Sequence, residues 1–128
     1  MTIPMTIFVL NGVWKPVAHQ EHGRQRASEQ VRPMAELVII GNQFTVRSGD
    51  HVYAAGVIRL DLSAFPHRVD FVQVHGGQTV GEPQRGIFQA DGDRLTTCLA
   101  GSGKPRPTAF ETGPGIDQGL TVYQRVLD

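Results

Sequence analysis

The sequence has few of the residues that indicate secretion, and its charges are balanced. Cys98 is the single cysteine, so no internal disulfide can form and the fold does not depend on an oxidising compartment. Twelve Lys and Arg residues balance twelve Asp and Glu residues. A chain without net charge or a basic run gives no electrostatic footprint for nucleic acid or for an anionic membrane. Low self-repulsion leaves association into a homodimer open.

The first ten residues, MTIPMTIFVL, are apolar but lack the usual marks of an export signal. A secretory signal peptide has a basic region before its apolar stretch and a small-residue cleavage site after it. Because neither is present, we expect a lead-in strand here. No window approaches the ~20 apolar residues of a membrane-spanning helix, so the sequence predicts a soluble cytoplasmic protein.

Motifs for a metal, a phosphate or a catalytic nucleophile are also absent from the sequence. The histidines show no metal-binding spacing: His19 and His22 are expected to point to opposite faces of a strand, and the others lie at predicted strand ends, at His51, His67 and His75. No glycine-rich phosphate loop opens a helix, and no nucleophile elbow holds a serine. Cys98 is interpreted as a small buried hydrophobe. We expect no metal and no cofactor.

What the chain does contain is a regular series of strand patterns. Runs rich in Val, Ile, Phe, Tyr and Thr alternate with Gly, Asp, Asn or Pro, which predicts strands at 13–21, 37–40, 44–47, 52–60, 69–75, 86–90, 94–99 and 120–127. The segment 24–34 is the one candidate helix, with Ser28 as N-cap and Pro33 as its end. Gly41-Asn42-Gln43 and Asp91-Gly92 are typical hairpin turns, and Gly56 indicates a bulge or a barrel corner.

Short loops between consecutive strands favour an up-and-down antiparallel order, closed into a barrel so that no long edge stays unpaired. The 128 residues suit one domain spanning 1–128. Gly12-Val13-Trp14 and Tyr123-Gln124-Arg125 indicate how the barrel closes, because a Gly-x-Trp in the first strand and an Arg in the last are typical of small lipocalin-type barrels. We expect Trp14 to plug one end beneath the Arg125 guanidinium, as a cation–π pair. Any site then opens at the other end.

Several motifs carry a family resemblance: LNGVWK from Leu10, GNQFTV from Gly41, DGDRL from Asp91 and GKPRP from Gly103. On these residues the chain resembles a family of small bacterial proteins, abundant in planctomycetes, with lipocalin-like folds. The resemblance implies an all-β fold, a single antiparallel lipocalin-like (calycin) β-barrel of about 8–10 strands with one short helix. Its motifs are structural, so little chemistry carries over. The segments 24–34 and 76–84 match less well, and a function particular to this chain is expected there.

Asp70 interrupts the apolar strand 69–75 and is the first candidate for chemistry. Alternation places Asp70, Val72 and Val74 on one face. A buried carboxylate must be paired, or its pKa rises and it becomes a candidate general acid or base. The alternative is a structural ion pair with an arginine, for which the sequence offers Arg59, Arg85 or Arg106.

The opposite face of the same strand carries Phe71, Gln73 and His75, and we favour this face as the cavity wall. Tyr53, Val57 and Arg59 are expected to share it, with Ala55 leaving room. The catalytic candidates are thus Asp70 and His75, and the ligand-binding candidates are Trp14, Tyr53, Arg59, Phe71, Gln73, Phe88 and Arg106.

Two functions suit these residues. The first is a binding module that holds a small, mostly apolar molecule inside the barrel, and the alternative is a cofactor-independent cyclase or isomerase of natural-product biosynthesis that folds and activates its substrate there. A third hypothesis is a structural barrel with a filled interior. The partner is therefore expected to be a small molecule, and a filled interior would exclude both small-molecule functions.

Overall fold

A computed structural model describes residues 10–127, so the lead-in strand expected over the first ten residues lies almost wholly outside the described chain. The described residues form ten strands and one helix: β1 Gly12–Glu21, β2 Arg24–Gln25, α1 Ser28–Val31, β3 Glu36–Ile40, β4 Gln43–Ser48, β5 His51–Asp61, β6 His67–His75, β7 Gln78–Thr79, β8 Gln84–Asp91, β9 Arg94–Ala100 and β10 Gln118–Arg125.

Eight of these strands close into one antiparallel barrel, which confirms the all-β barrel prediction. Their order is β1-β3-β4-β5-β6-β8-β9-β10, and β10 pairs back to β1. The two-residue strands β2 and β7 pair with the ends of β1 and β6, respectively. Each predicted strand is present, although most run one or two residues longer than the sequence pattern indicates.

Glycines lie in the turns and at a point where two neighbouring strands approach each other closely. The turn after β8 comprises Gly92 and Asp93, because Asp91 still pairs with Arg94; the predicted turn is therefore shifted by one residue. Gly92 has a φ of 60°, the left-handed conformation that the first position of such a turn requires. Gly56 lies where β5 and β6 approach so closely that an added Cβ would be 2.9 Å from the Val74 backbone nitrogen.

The helix is shorter than expected, and its N-cap differs from the prediction. Ala27, not Ser28, is the N-cap, with extended backbone angles, and Ser28 is the first helical residue. The Gln30 side chain accepts a hydrogen bond from the Ala27 backbone N–H (3.1 Å), which satisfies one of the free amide groups at the helix start. Val31 is buried, and the helix packs against β1 at the open end of the barrel.

Trp14 and Arg125 close the other end, as the sequence predicts. Trp14 is fully buried, and the Arg125 guanidinium carbon lies 4.2 Å from the centre of its ring. The indole N–H donates to the Leu10 carbonyl oxygen (2.8 Å), and Arg125 Nε pairs with Asp93 (3.0 Å). Gly12 lies directly beneath the guanidinium, where a Cβ would be 2.8 Å from an arginine nitrogen. The Gly-x-Trp spacing therefore has a steric cause.

The hydrophobic core fills the half of the barrel next to Trp14. Its members point inward from successive strands and are buried: Leu10, Trp14, Leu37, Ile39, Phe44, Ile58, Val69, Phe88 and Leu95. The inward side chains near the opposite end are smaller or more polar, so the packing ends before the barrel does. Among residues 10–127, no helix is long and apolar enough to cross a membrane.

Candidate functional site

The barrel interior holds a cavity of about 170 Å³ near its open end. Its wall is mixed, because apolar side chains line the barrel interior and polar side chains lie beside them. The lining residues are Leu37, Phe44, Val46, Ala54, Phe71, Gln73, Val80, Glu82, Gln84, Leu99, Ser102 and Tyr123. The interior is therefore not completely filled, which argues against a purely structural barrel.

Strand register decides which side chains reach this cavity. On β5 and β6, Gly56 pairs with Gln73 and Ile58 pairs with Phe71, and directly paired residues share one face of a sheet. The Phe71 ring packs edge-on against Phe44, with 5.0 Å between ring centres. The Phe71 face is therefore the inner face, and the small side chain of Ala54 on the same inner face leaves the space open.

Two loops form the polar side of the mouth. Val80 and Glu82 lie between β7 and β8, and Ser102 follows β9. The Ser102 hydroxyl donates to the Glu82 carbonyl oxygen, and the Gly103 N–H donates to the Pro83 carbonyl oxygen (3.1 Å). These bonds hold the two loops together. Part of the mouth thus comes from the segment 76–84, where the sequence placed a function particular to this chain.

A line of polar side chains runs along the inner wall between β1 and β10. His19 Nδ1 lies 2.8 Å from the Thr121 hydroxyl oxygen, and Tyr123, two residues further along β10, lines the cavity. On the other side of the imidazole, Nε2 lies 3.8 Å from a carboxylate oxygen of Glu21. Glu21 also forms an ion pair with Arg26. Groups that can exchange protons therefore reach from the barrel rim to the cavity wall.

Two groups in this line, His19 and Tyr123, have shifted pKa values. Burial lowers the pKa of His19, helped by the positive charge of Arg26 and opposed by Glu21. Burial raises the pKa of the Tyr123 phenol to about 12, although the neighbouring Thr121 hydroxyl acts in the opposite direction. Both groups are therefore neutral near pH 7, since desolvation disfavours their charged forms.

A β-bulge brings His19 into the barrel. Trp14 and Pro16 pair with Arg125 and Tyr123, but the next β10 residue pairs with Ala18, which leaves Val17 as an extra residue. An extra residue reverses the inward and outward alternation beyond it, so His19 faces inward opposite Thr121. Sequence reasoning did not single out His19, Thr121 or Tyr123 as site residues, and an unbroken alternation from Trp14 would place the His19 side chain outward. Pro16 was the available signal, since proline inside a strand marks an edge or a bulge.

The ligand-binding candidates from the sequence divide into three groups. Phe71 and Gln73 line the cavity. Trp14 and Phe88 are buried in the core at the closed half of the barrel. The expectation that Tyr53, Val57 and Arg59 share the Phe71 face is corrected by the register, because Arg59 pairs with Asp70 and both point outward. Tyr53 is 59% exposed on that outer face, where its ring packs against His51.

The remaining candidates lie outside the cavity. Asp70 forms an ion pair with Arg106, with 2.8 Å between Oδ1 and Nη2, which is the structural alternative that the sequence left open. Arg106 also donates to the carbonyl oxygens of Val69 (3.1 Å) and Gly86 (2.9 Å), so it fastens the segment between β9 and β10 to the outside of the barrel. His75 is exposed at the end of β6.

The remaining candidates for chemistry are the Cys98 thiol and clusters of metal-ligating side chains. Cys98 is fully buried, and burial raises the pKa of its thiol, which disfavours the nucleophilic thiolate. Within residues 10–127, no three His, Cys, Asp or Glu side chains lie close enough together to hold a metal ion. One further polar atom is notable: the buried Thr97 hydroxyl has no hydrogen-bond partner within the same residues.

Comparison with known proteins does not assign the chain to a family. No family model, no curated protein and no solved structure matches it. The resemblance to the small bacterial barrel family stays a prediction, and the function must be argued from the cavity.

Proposed function

We propose that this barrel binds a small, mostly apolar molecule in its interior cavity. The observation that carries the proposal is the unfilled space of about 170 Å³, walled by Leu37, Phe44, Phe71 and Leu99 and bordered by polar groups at its mouth. Small-molecule sites commonly combine an apolar wall with a few convergent polar groups. Transfer of an apolar ligand from water to such a wall is favourable.

The volume limits the size of the ligand. Apolar cavities of about 150 Å³ accept a benzene-sized molecule, whereas sites for drug-sized ligands usually exceed about 300 Å³. A cavity of about 170 Å³ therefore suits a molecule of one or two rings, or a short branched chain. A fatty acid or a porphyrin would require the core around Trp14 to open.

The test is to fill the cavity with protein atoms. Ala54 lines the cavity, and Ala54→Leu places three additional carbon atoms in it. We expect the variant to fold and to lose at least 10-fold in affinity for an apolar bicyclic probe such as indene, measured by calorimetry, since about 1.4 kcal/mol of lost contact is a factor of ten.

Ala55→Leu is the matched control, because Ala55 lies next in the strand and lines a concavity on the outer surface. It should bind indene like the native protein. If neither the native protein nor this control binds any apolar probe of one or two rings, the proposed function is wrong.

The alternative function is a cofactor-independent isomerase or cyclase, and one observation favours keeping it. His19 lies within hydrogen-bond distance of Thr121, and Tyr123 beside them lines the cavity; such polar groups can give or take a proton at a bound substrate. Nuclear magnetic resonance spectroscopy of the molecule after incubation separates the two functions, because an isomerisation changes the bonding of the molecule and not its mass. Unchanged ligand supports binding, whereas a product that Tyr123→Phe no longer forms supports catalysis.

A further inference from the structure

The lining of the cavity is uneven in charge. Among the described residues that form it, Glu82 is the single carboxylate, and there is no lysine, arginine or histidine. Tyr123 is the other ionisable residue of the lining, and its phenol stays neutral because burial raises its pKa to about 12. The remaining polar side chains, those of Gln73, Gln84 and Ser102, carry no charge. A molecule in the cavity therefore meets one negative charge and no positive charge.

Two contacts fix Glu82 where the two mouth loops meet. Its carbonyl oxygen accepts a hydrogen bond from the Ser102 hydroxyl, and its side-chain stem packs over Gly103, where an added Cβ would lie 3.2 Å from the Glu82 Cβ. Neither contact neutralises the carboxylate, which has no ion-pair or hydrogen-bond partner within residues 10–127. Lys104 is nearby in sequence but forms no ion pair with Glu82 and is not part of the lining. The carboxylate is therefore available to a ligand.

Much of the lining beside Glu82 is apolar and suits an aromatic ring. Phe44 and Phe71 meet edge to face with 5.0 Å between their ring centres, and Leu37 and Leu99 add aliphatic surface. A third ring gains from the same burial and edge-to-face contacts. The cavity of about 170 Å³ has room for one ring and a short substituent, since a cavity of about 150 Å³ accepts benzene.

We propose that the cavity selects small arylalkylamines in their ammonium form, with the aromatic ring against Phe44 and Phe71 and the ammonium group at the Glu82 carboxylate. The inference rests on the proposed binding function and specifies its ligand class. An ammonium group donates charge-assisted hydrogen bonds to a carboxylate, whereas an anionic ligand is repelled by it. Glu82 is exposed, so water screens the pair. The apolar wall therefore supplies most of the affinity, and Glu82 decides between ligands of equal shape.

Three one-ring molecules of similar size test the proposal by calorimetry. Benzylamine is a cation near pH 7, as alkylamines are, and benzoate is an anion, as carboxylic acids are; benzyl alcohol is neutral. Benzylamine should bind roughly 1.5- to 5-fold more tightly than benzyl alcohol, the ratio that a solvent-exposed ion pair gives. Benzoate should bind more weakly than benzyl alcohol.

Variants at position 82 identify the group responsible. Glu82→Gln should leave the affinity for benzyl alcohol unchanged and make benzylamine equal to it. Glu82→Lys should reverse the order, so that benzoate binds most tightly and benzylamine least. A merely structural role of Glu82 would change the three affinities together and would not reverse their order.

Glu29→Gln is the matched control, because it removes the same charge from an exposed residue of α1 that does not line the cavity. It should keep the native preference for benzylamine. If this control loses the preference as Glu82→Gln does, the selectivity comes from the charge of the whole protein, and the inference is wrong.

The outcomes separate the inference from the proposed function. If none of the three molecules binds and indene does not bind either, the binding function fails and the inference fails with it. If benzyl alcohol or indene binds but benzylamine has no advantage over benzyl alcohol, or if Glu82→Gln keeps that advantage, only the inference is overturned.

Discussion

Replacing Trp14 by Ala tests how the closed end supports the barrel. Trp14 is fully buried in the core, and truncating such a side chain typically lowers the free energy of unfolding by about 3–5 kcal/mol. The indole also donates to the Leu10 carbonyl oxygen and lies under the Arg125 guanidinium. These contacts are worth about 1 kcal/mol and about 0.5–2 kcal/mol. Because coupled contacts do not add, we expect a total within about 3–5 kcal/mol.

For a chain of 128 residues, this loss corresponds to a fall in Tm of roughly 10–20 °C. Trp14 is the single tryptophan, so the variant has no indole fluorescence, and urea unfolding is followed by far-ultraviolet circular dichroism. Val17→Ala is the control, because Val17 is 47% exposed in the same strand and should cost less than about 0.5 kcal/mol. A loss below about 1 kcal/mol for Trp14→Ala would refute the view that the indole supports the closed end.

Two further predictions concern the open half. Gly56→Ala should lower the free energy of unfolding by about 1–3 kcal/mol, because a Cβ would overlap the Val72 carbonyl oxygen of the neighbouring strand; a urea midpoint equal to that of the native protein would contradict this. The pKa of His19 is lowered in the fold, so the unfolded chain takes up the proton first, and stability should be complete above about pH 6.5 and decline as the pH falls toward the folded pKa. His19→Gln should lose less stability than the native protein between about pH 7 and about pH 5, and equal losses by urea titration would argue against a buried neutral His19.

Local signals in the sequence predict much of the fold. Trp14 and Arg125 lie at the two chain ends, yet each is recognisable from its own tripeptide, and the structure pairs them directly. Gly41 and Gly92 mark turns because positive φ angles favour glycine there. Such features depend on a few adjacent residues, so the sequence alone suffices to find them.

The site was harder to predict, because it depends on register between strands that are distant in sequence. The pattern of β6 divides Phe71 from Asp70 but does not settle which face is inward, and it says nothing of the partners on β5, where Tyr53 and Arg59 lie on the outer surface. The polar line to Tyr123 depends on a bulge in another strand. Hydrophobic periodicity describes one strand at a time, whereas a cavity wall is formed by several strands together.

The bulge at Val17 divides β1 into two parts that can change independently. The part before it carries Trp14 toward the closed end, and the part after it carries His19 toward the site. Because the extra residue has no partner on β10, deleting Val17 would leave Ala18 opposite Val122 and His19 opposite Thr121, with Trp14 still in place. Position 17 could thus vary, or be lost, without separating His19 from Thr121 and without any change in the residues that close the barrel.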